Sequence, residues 1–339
     1  MWPDDWLRAA RSGGCRGHRA PPLSSPGGDV HKAMIQLVTI AIPPALVPGD
    51  MIAVVAPSGP LARDDLWRGL AWLRIRYPMR IRPGVLARRG YLAGDDALRS
   101  RELANAILDD DVKAILAARG GYGAMRILDG VPWEALARRP KWIVGFSDVT
   151  ALHMMASRVG VASVHASDAA GLGRDQAVSI RAAWLASLER PRSERVWRAL
   201  RVIRAGTATG PIVGGNLALV HAMAAAGRLT IPRGAVVALE DVGEAPYRID
   251  RMLTSLILGG YFMNASAIVF GRFHRCDSGV DGVTVDEVLD SCTRPLGIPV
   301  LAGAPFGHGA RNEAFVLGAA VRVRGDAVTW CSESDSPSW

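Results

Sequence analysis

Short apolar runs alternate along this chain with segments of helical period, and that alternation predicts a parallel sheet covered on both faces. MIAVVA at 51–56 reads as a buried strand, stopped by Pro57-Ser58-Gly59-Pro60. Helical spacing over 64–75 and 99–108 predicts crossover helices. VKAILAA at 112–118 and WIVGF at 142–146 are further strands, and a helix is expected over 150–156. In such sheets ligands sit beyond the carboxyl ends of the strands. That places Ser58, the turn after the 112–118 strand, and Ser147-Asp148 along one rim.

A polar, Arg-rich stretch then interrupts the pattern, and 171–205 reads as a linker. A second unit follows. GPIVGGN at 210–216 is expected to open a helix over 217–225, and VVAL at 236–239 is a strand ending in Glu240-Asp241. A helix is predicted over 248–258 and a strand over 267–270. A loop carries Gly307-His308-Gly309, and a strand pair over 314–317 and 320–323 closes the unit. The organisation expected is an α/β N-terminal parallel-sheet domain over 41–170 and a smaller, β-rich α/β C-terminal domain over 206–330. The active site is expected at their interface.

The stretch with the most chemistry in its shape is VKAILAARGGYGAMRIL, 112–128. A strand running through glycines into a helix is the geometry of a nucleophile elbow. The glycines permit a sharp turn, and the first N–H groups of the new helix are free to bind developing negative charge. A Gly-rich strand-to-helix turn also cradles phosphates in nucleotide-binding folds. The position an elbow would give to a nucleophile is 124, and the residue there is alanine. Glu240 and His308 share its setting, at a strand end and in a loop. A nucleophile, a carboxylate and an imidazole in that chain order would suit a Ser–His–Glu set.

Composition narrows the classes. The 339 residues are 49% hydrophobic and 21% charged, which is globular, and no apolar run approaches the roughly 20 residues that span a bilayer. The net charge of +8 comes from arginines dispersed among acids, with no nucleic-acid module. Four cysteines stand far apart, arguing against a zinc site or disulfide scaffold and for a reducing, cytoplasmic setting. Residues 1–40, rich in Arg, Pro, Gly and Ser, read as a disordered extension or an upstream mis-start before Met34.

Six stretches together resemble the LD-carboxypeptidase family of serine peptidases, which includes muramoyltetrapeptide carboxypeptidases and microcin C self-immunity peptidases. They are GDMIAVVAPSGP, RRGYLAGDDALRSRELANAILDDDVKAILAARGGYGAMRILD, PKWIVGFSDVTALH, GPIVGGNLALV, LEDVGEAPYRIDRML and GAPFGHGARNEAFVLGA. The resemblance implies hydrolysis of an L,D-peptide bond, with release of D-Ala from a murein tetrapeptide or cleavage of a peptidyl-nucleotide. It also implies no metal or other cofactor, and a homodimer. It assigns the family's nucleophilic serine to Ala124, its glutamate to Glu240 and its base to His308. The Met125 N–H and Gly121 would form the oxyanion hole. Asn216, Tyr122, Ser147 and Asp148 would border the substrate, with Glu244, Tyr247 and Arg119 as further pocket residues. Two departures follow: the missing hydroxyl at Ala124, and His165-Ala166-Ser167 in place of the family's usual His-Gly-Pro. On this assignment catalysis is severely impaired, and the alternative is a non-catalytic homologue that sequesters a murein peptide or a peptidyl-nucleotide antibiotic.

Overall fold

The computed structural model describes residues 40–174 and 178–331, so the extension expected over 1–40 lies, but for Ile40, outside the described residues. The strands are β1 (Met51–Val55), β2 (Met79–Ile81), β3 (Val112–Ala117), β4 (Trp142–Gly145), β5 (Ser163–His165), β6 (Arg195–Trp197), β7 (Arg201–Arg204), β8 (Thr207–Asn216), β9 (Ala235–Val242), β10 (Ala265–His274), β11 (Val300–Ala302), β12 (Phe315–Leu317), β13 (Ala320–Arg324) and β14 (Ala327–Trp330). The helices are α1 (Arg63–Leu70), α2 (Asp96–Leu108), α3 (Trp133–Arg138), α4 (Thr150–Arg158), α5 (Ala169–Arg174), α6 (Val178–Glu189), α7 (Leu217–Ala225), α8 (Pro246–Leu258) and α9 (Val285–Thr293).

Two sheets organise these elements. The first has the order β12-β5-β4-β3-β1-β2 and is parallel except for β12. The second runs β6-β14-β13-β8-β9-β10-β11-β7, with a parallel centre, β8 to β11, and antiparallel flanks. Strands β1, β3 and β4 are nearly continuous apolar runs because both faces are covered, as expected of parallel sheets.

Two expectations are corrected by tertiary pairing. The strand near 314–317 does not stay with its neighbour: β12 crosses to pair antiparallel with β5 in the first sheet. Residues 210–216 form the end of the ten-residue strand β8 and, as expected, lead through Asn216 straight into α7. The stretch 171–205 contributes α6 and then β6 and β7, both members of the second sheet, so it is built into the fold.

Helix α4 joins the halves. All its residues from Thr150 to Ser157 are buried, and a helix buried on every side belongs inside a core. Leu152 and Met155 share one core with Ile115 of β3 and with Val213, Leu217 and Val237 of the second half. Glycines permit this approach. A Cβ on Gly215 would lie 2.5 Å from Thr150 Oγ1, and that hydroxyl accepts the Asn216 N–H at 3.0 Å.

Candidate active site

The site is built where the carboxyl ends of the two parallel arrays meet. Strand β4 stops at Gly145, a position where any side chain would strike its neighbours. A Cβ there would sit 2.9 Å from both Val149 γ-carbons and 3.1 Å from the Ala117 Cβ. Phe146 is extended, and Ser147 then turns into the left-handed region at φ 61° before a short 3₁₀ turn leads into α4. A non-glycine residue held there costs about 1–2 kcal/mol, which the surrounding packing must sustain. Fully buried His153 grips this corner. Burial lowers its pKa to about 4, so the neutral ring donates its Nε2–H to the Gly145 carbonyl at 3.0 Å.

His308 approaches Ser147 from the loop after β11. Its Nε2 lies 3.1 Å from Ser147 Oγ, and its Nδ1 lies 2.8 Å from Glu240 Oε2. An ionised carboxylate only accepts, so Nδ1 carries the proton and Nε2 is left to accept from the serine hydroxyl. The His308 backbone N–H donates to the same Glu240 oxygen at 3.0 Å, fixing loop and ring together. Gly307 makes that possible: at φ +107°, a Cβ would lie 2.7 Å from Glu240 Oε2.

Glu240 is fully buried at the end of β9. Its second oxygen accepts from Asn216 Nδ2 at 3.4 Å, and the same amide nitrogen donates to Asp241 Oδ1 at 2.9 Å. Asn216 also caps α7 through its Oδ1, so the helix start and the carboxylate share one side chain. Asp241 turns its other oxygen to the Ala218 N–H at 2.9 Å, and burial pushes its carboxyl up to about 6. For His308, burial pulls the pKa down, but the hydrogen bond and charge of Glu240 outweigh it, and the net shift is upward.

The hydrogen-bonded array therefore runs Ser147–His308–Glu240, and position 124 has no place in it. Ala124 is fully buried and opens a 3₁₀ helix, 124–130, with its N–H committed to Asp148 Oδ2 at 2.8 Å. In the turn before it the positive φ values fall on Gly121 and Gly123, residues for which that conformation carries no strain. Met125 follows Ala124 in that 3₁₀ helix, and Gly121 lies in the turn before it. Its neighbour Gly120 packs so closely on Ser147 that a Cβ would lie 3.0 Å from the serine Cβ.

The other residues expected to border a substrate divide by burial. Asn216 and Asp148 are buried at 4% and 1% exposure and serve other side chains and the backbone. Tyr122 is half-exposed on the turn and meets Tyr91 edge-on, with ring centroids 5.6 Å apart. Arg119 donates to the Pro60 carbonyl at 2.6 Å. Glu244 stands 3.5 Å from Arg248, and exposed Tyr247 lies under the Arg251 guanidinium. His165 is wholly buried and stacks on Phe315, and burial drives its pKa far down. Among the described residues no His, Cys, Asp and Glu cluster could hold a metal, and no helix is long and apolar enough to cross a membrane.

A family model for the N-terminal domain of LD-carboxypeptidases matches residues 52–166, and one for the C-terminal domain matches 209–323. The murein tetrapeptide carboxypeptidase of Pseudomonas aeruginosa is 32% identical over 293 residues, 82% of this chain and 94% of that protein. The chain belongs to the LD-carboxypeptidase family. Among solved structures, the muramoyltetrapeptide carboxypeptidase from Oxalobacter formigenes superposes with a TM-score of 0.76 at 26% identity, covering 83% of this chain and 99% of that one. The microcin C7 self-immunity protein MccF, solved with aspartyl sulfamoyl adenosine, shares the fold at a TM-score of 0.77 and 19% identity, over 89% and 100% of the two chains. Within this family frame, Gly145-x-Ser147 after an apolar strand is half of the G-x-S-x-G signature. The five-residue RGGYG run, richer in glycine, obscures it.

Proposed function

We propose that the chain is a working serine LD-carboxypeptidase with Ser147 as nucleophile, His308 as general base and Glu240 as the carboxylate that orients it. The observation that carries this reading is the Ser147–His308–Glu240 relay, built on a serine held in the left-handed region. Ala124 is then a packing residue, and its missing hydroxyl has no bearing on activity.

On this reading Ser147 Oγ attacks the carbonyl of the L,D-peptide bond of a murein tetrapeptide as its proton passes to His308 Nε2. Glu240, already bonded to Nδ1, stabilises the imidazolium. The oxyanion is met by the Asp148 N–H, next after the nucleophile, and by the Gly121 N–H. His308 returns its proton to the leaving amine, C-terminal D-Ala departs, and water, activated by the same ring, releases the acyl group from Ser147. The cytoplasm, where murein peptides are recycled, is the compartment this reading gives the enzyme.

Release of D-Ala from an L,D-linked tetrapeptide tests it. Wild type should turn over, Ser147→Ala should not, and Ala124→Ser should match wild type. Turnover by Ser147→Ala overturns the nucleophile assignment. Tight peptide binding by the wild type with no turnover replaces the reading with sequestration.

A further inference from the structure

The RGGYG turn carries no reacting side chain, yet buried carboxyl groups hold it at both ends. The Gly120 N–H donates to Asp168 Oδ2 at 2.8 Å, and the Ala124 N–H donates to Asp148 Oδ2 at 2.8 Å. Between them, Arg99 Nη1 donates to the Gly123 carbonyl at 2.8 Å and to the Pro57 carbonyl of the neighbouring loop. Asp148, Asp168 and Arg99 are each no more than 2% exposed.

Carboxylates are rarely buried without an ion pair, because desolvation of the charge costs several kcal/mol. Here both aspartates turn to backbone N–H groups: Asp168 also takes the Gly171 N–H at 2.7 Å. Desolvation pushes both carboxyls above their ordinary pKa. A turn serving only as a connection could be satisfied by water or by uncharged partners. The arrangement makes sense if the position of the turn matters to within a fraction of an ångström.

What lies between the two anchors is Gly121-Tyr122. No hydrogen bond among the described residues engages the Gly121 N–H. Gly120 rests on Ser147, and a Cβ on Gly121 would meet the Gly59 Cα at 3.3 Å, so these two glycines are wedged between two loops with little room for a side chain. Asp148 also follows Ser147 directly, so one residue supplies a backbone N–H beside the nucleophile and fastens the opposite turn.

We propose that Asp148 and Asp168 are positioning residues that clamp the RGGYG turn, setting the Gly121 N–H against the Asp148 N–H as one oxyanion-binding pair. The inference rests on Ser147 being the nucleophile. An oxyanion donor acts on the transition state and little on bound substrate, so loosening it lowers kcat and spares KM.

The test uses the full chain with Asp148→Ala, Asp148→Asn and Asp168→Asn, read by D-Ala release and by inhibition with a peptide boronic acid. Asp148→Ala should lose about 10²–10³-fold in kcat, the range for one oxyanion donor, with KM within about threefold. Its boronate affinity should fall in step with kcat. Asp148→Asn keeps one acceptor oxygen for the single Ala124 N–H and should recover most of the rate. Asp168→Asn, with one oxygen for two N–H groups, should fall between, and it carries the test if Asp148→Ala does not fold. An unchanged kcat in Asp148→Ala and Asp168→Asn, or a loss shared equally by KM with boronate affinity intact, overturns the clamp. Failure of the underlying assignment is separate: it appears as turnover in Ser147→Ala.

Discussion

Two neighbouring strands of the first sheet, β3 and β4, end in turns that differ in how each departs from ordinary backbone. After β3 the chain goes through Gly120, Gly121 and Gly123, and the left-handed φ values fall on glycines, so the turn is made without strain. β4 itself ends in a single glycine, Gly145, and the left-handed residue of the turn is Ser147. The glycine-rich turn looks more like an elbow in the sequence, but the strained serine has the hydroxyl on His308. Glycine marks where a backbone can bend, and strain at a residue with a side chain marks where the fold holds something in place.

The largest effect that separates the turns is removal of the hydroxyl. Ser147→Ala should cut kcat by about 10⁵–10⁶-fold, while Ala124→Ser leaves it unchanged, as measured by D-Ala release. A gain of activity in Ala124→Ser would return the elbow to the first turn. Next is Glu240→Gln, expected to lower kcat by about 10⁴-fold on the precedent of an Asp→Asn change in a serine protease triad. It carries a sign in pH as well. His308 must be neutral to accept the proton, so kcat/KM falls as pH drops through its pKa. Burial lowers that pKa, and Glu240, with smaller contributions from Asp241 and Asp168, more than offsets it. The acid limb of Glu240→Gln should therefore move to lower pH, and an unmoved limb would detach Glu240 from the base.

Smaller effects probe the supports. Gly307→Ala puts a Cβ 2.7 Å from Glu240 Oε2 at a φ suited to glycine, and should destabilise the fold by about 1–3 kcal/mol in thermal or urea unfolding. The loop should shift with it, lowering kcat about 10²-fold. Smallest is Tyr122→Ala, on the exposed middle of the glycine-rich turn. KM for the tetrapeptide should rise a few-fold with kcat little changed, and a fall in kcat with KM constant would show that the ring orders the turn.

Much of the architecture is legible along the chain. The strands β1, β3 and β4 announce themselves as short β-branched runs, and α7 begins where Asn216 offers a cap. Glu240 and His308 could be singled out from their motifs, and both stand in the relay. Ser147 was legible too, as the end of Gly145-x-Ser147, but its role was not. Two candidate turns on one rim look alike until the imidazole chooses between them. Asp148 and Asn216, expected to border the substrate, are buried, and their side chains hold the turn and the glutamate.

By itself, the sequence determined the class of fold and the family, because hydrophobic period and long motif runs are local properties of the chain. It also determined that a carboxylate and an imidazole would stand at the ends of the second array. Tertiary structure alone decided which serine they serve, since Ser147 and His308 are 161 positions apart and meet through the packing of α4 against β8. It also decided that β12 leaves its sequence neighbours for the first sheet. In both cases a long-range pairing replaced a local preference, and no local pattern encodes which of two turns comes within hydrogen-bond reach.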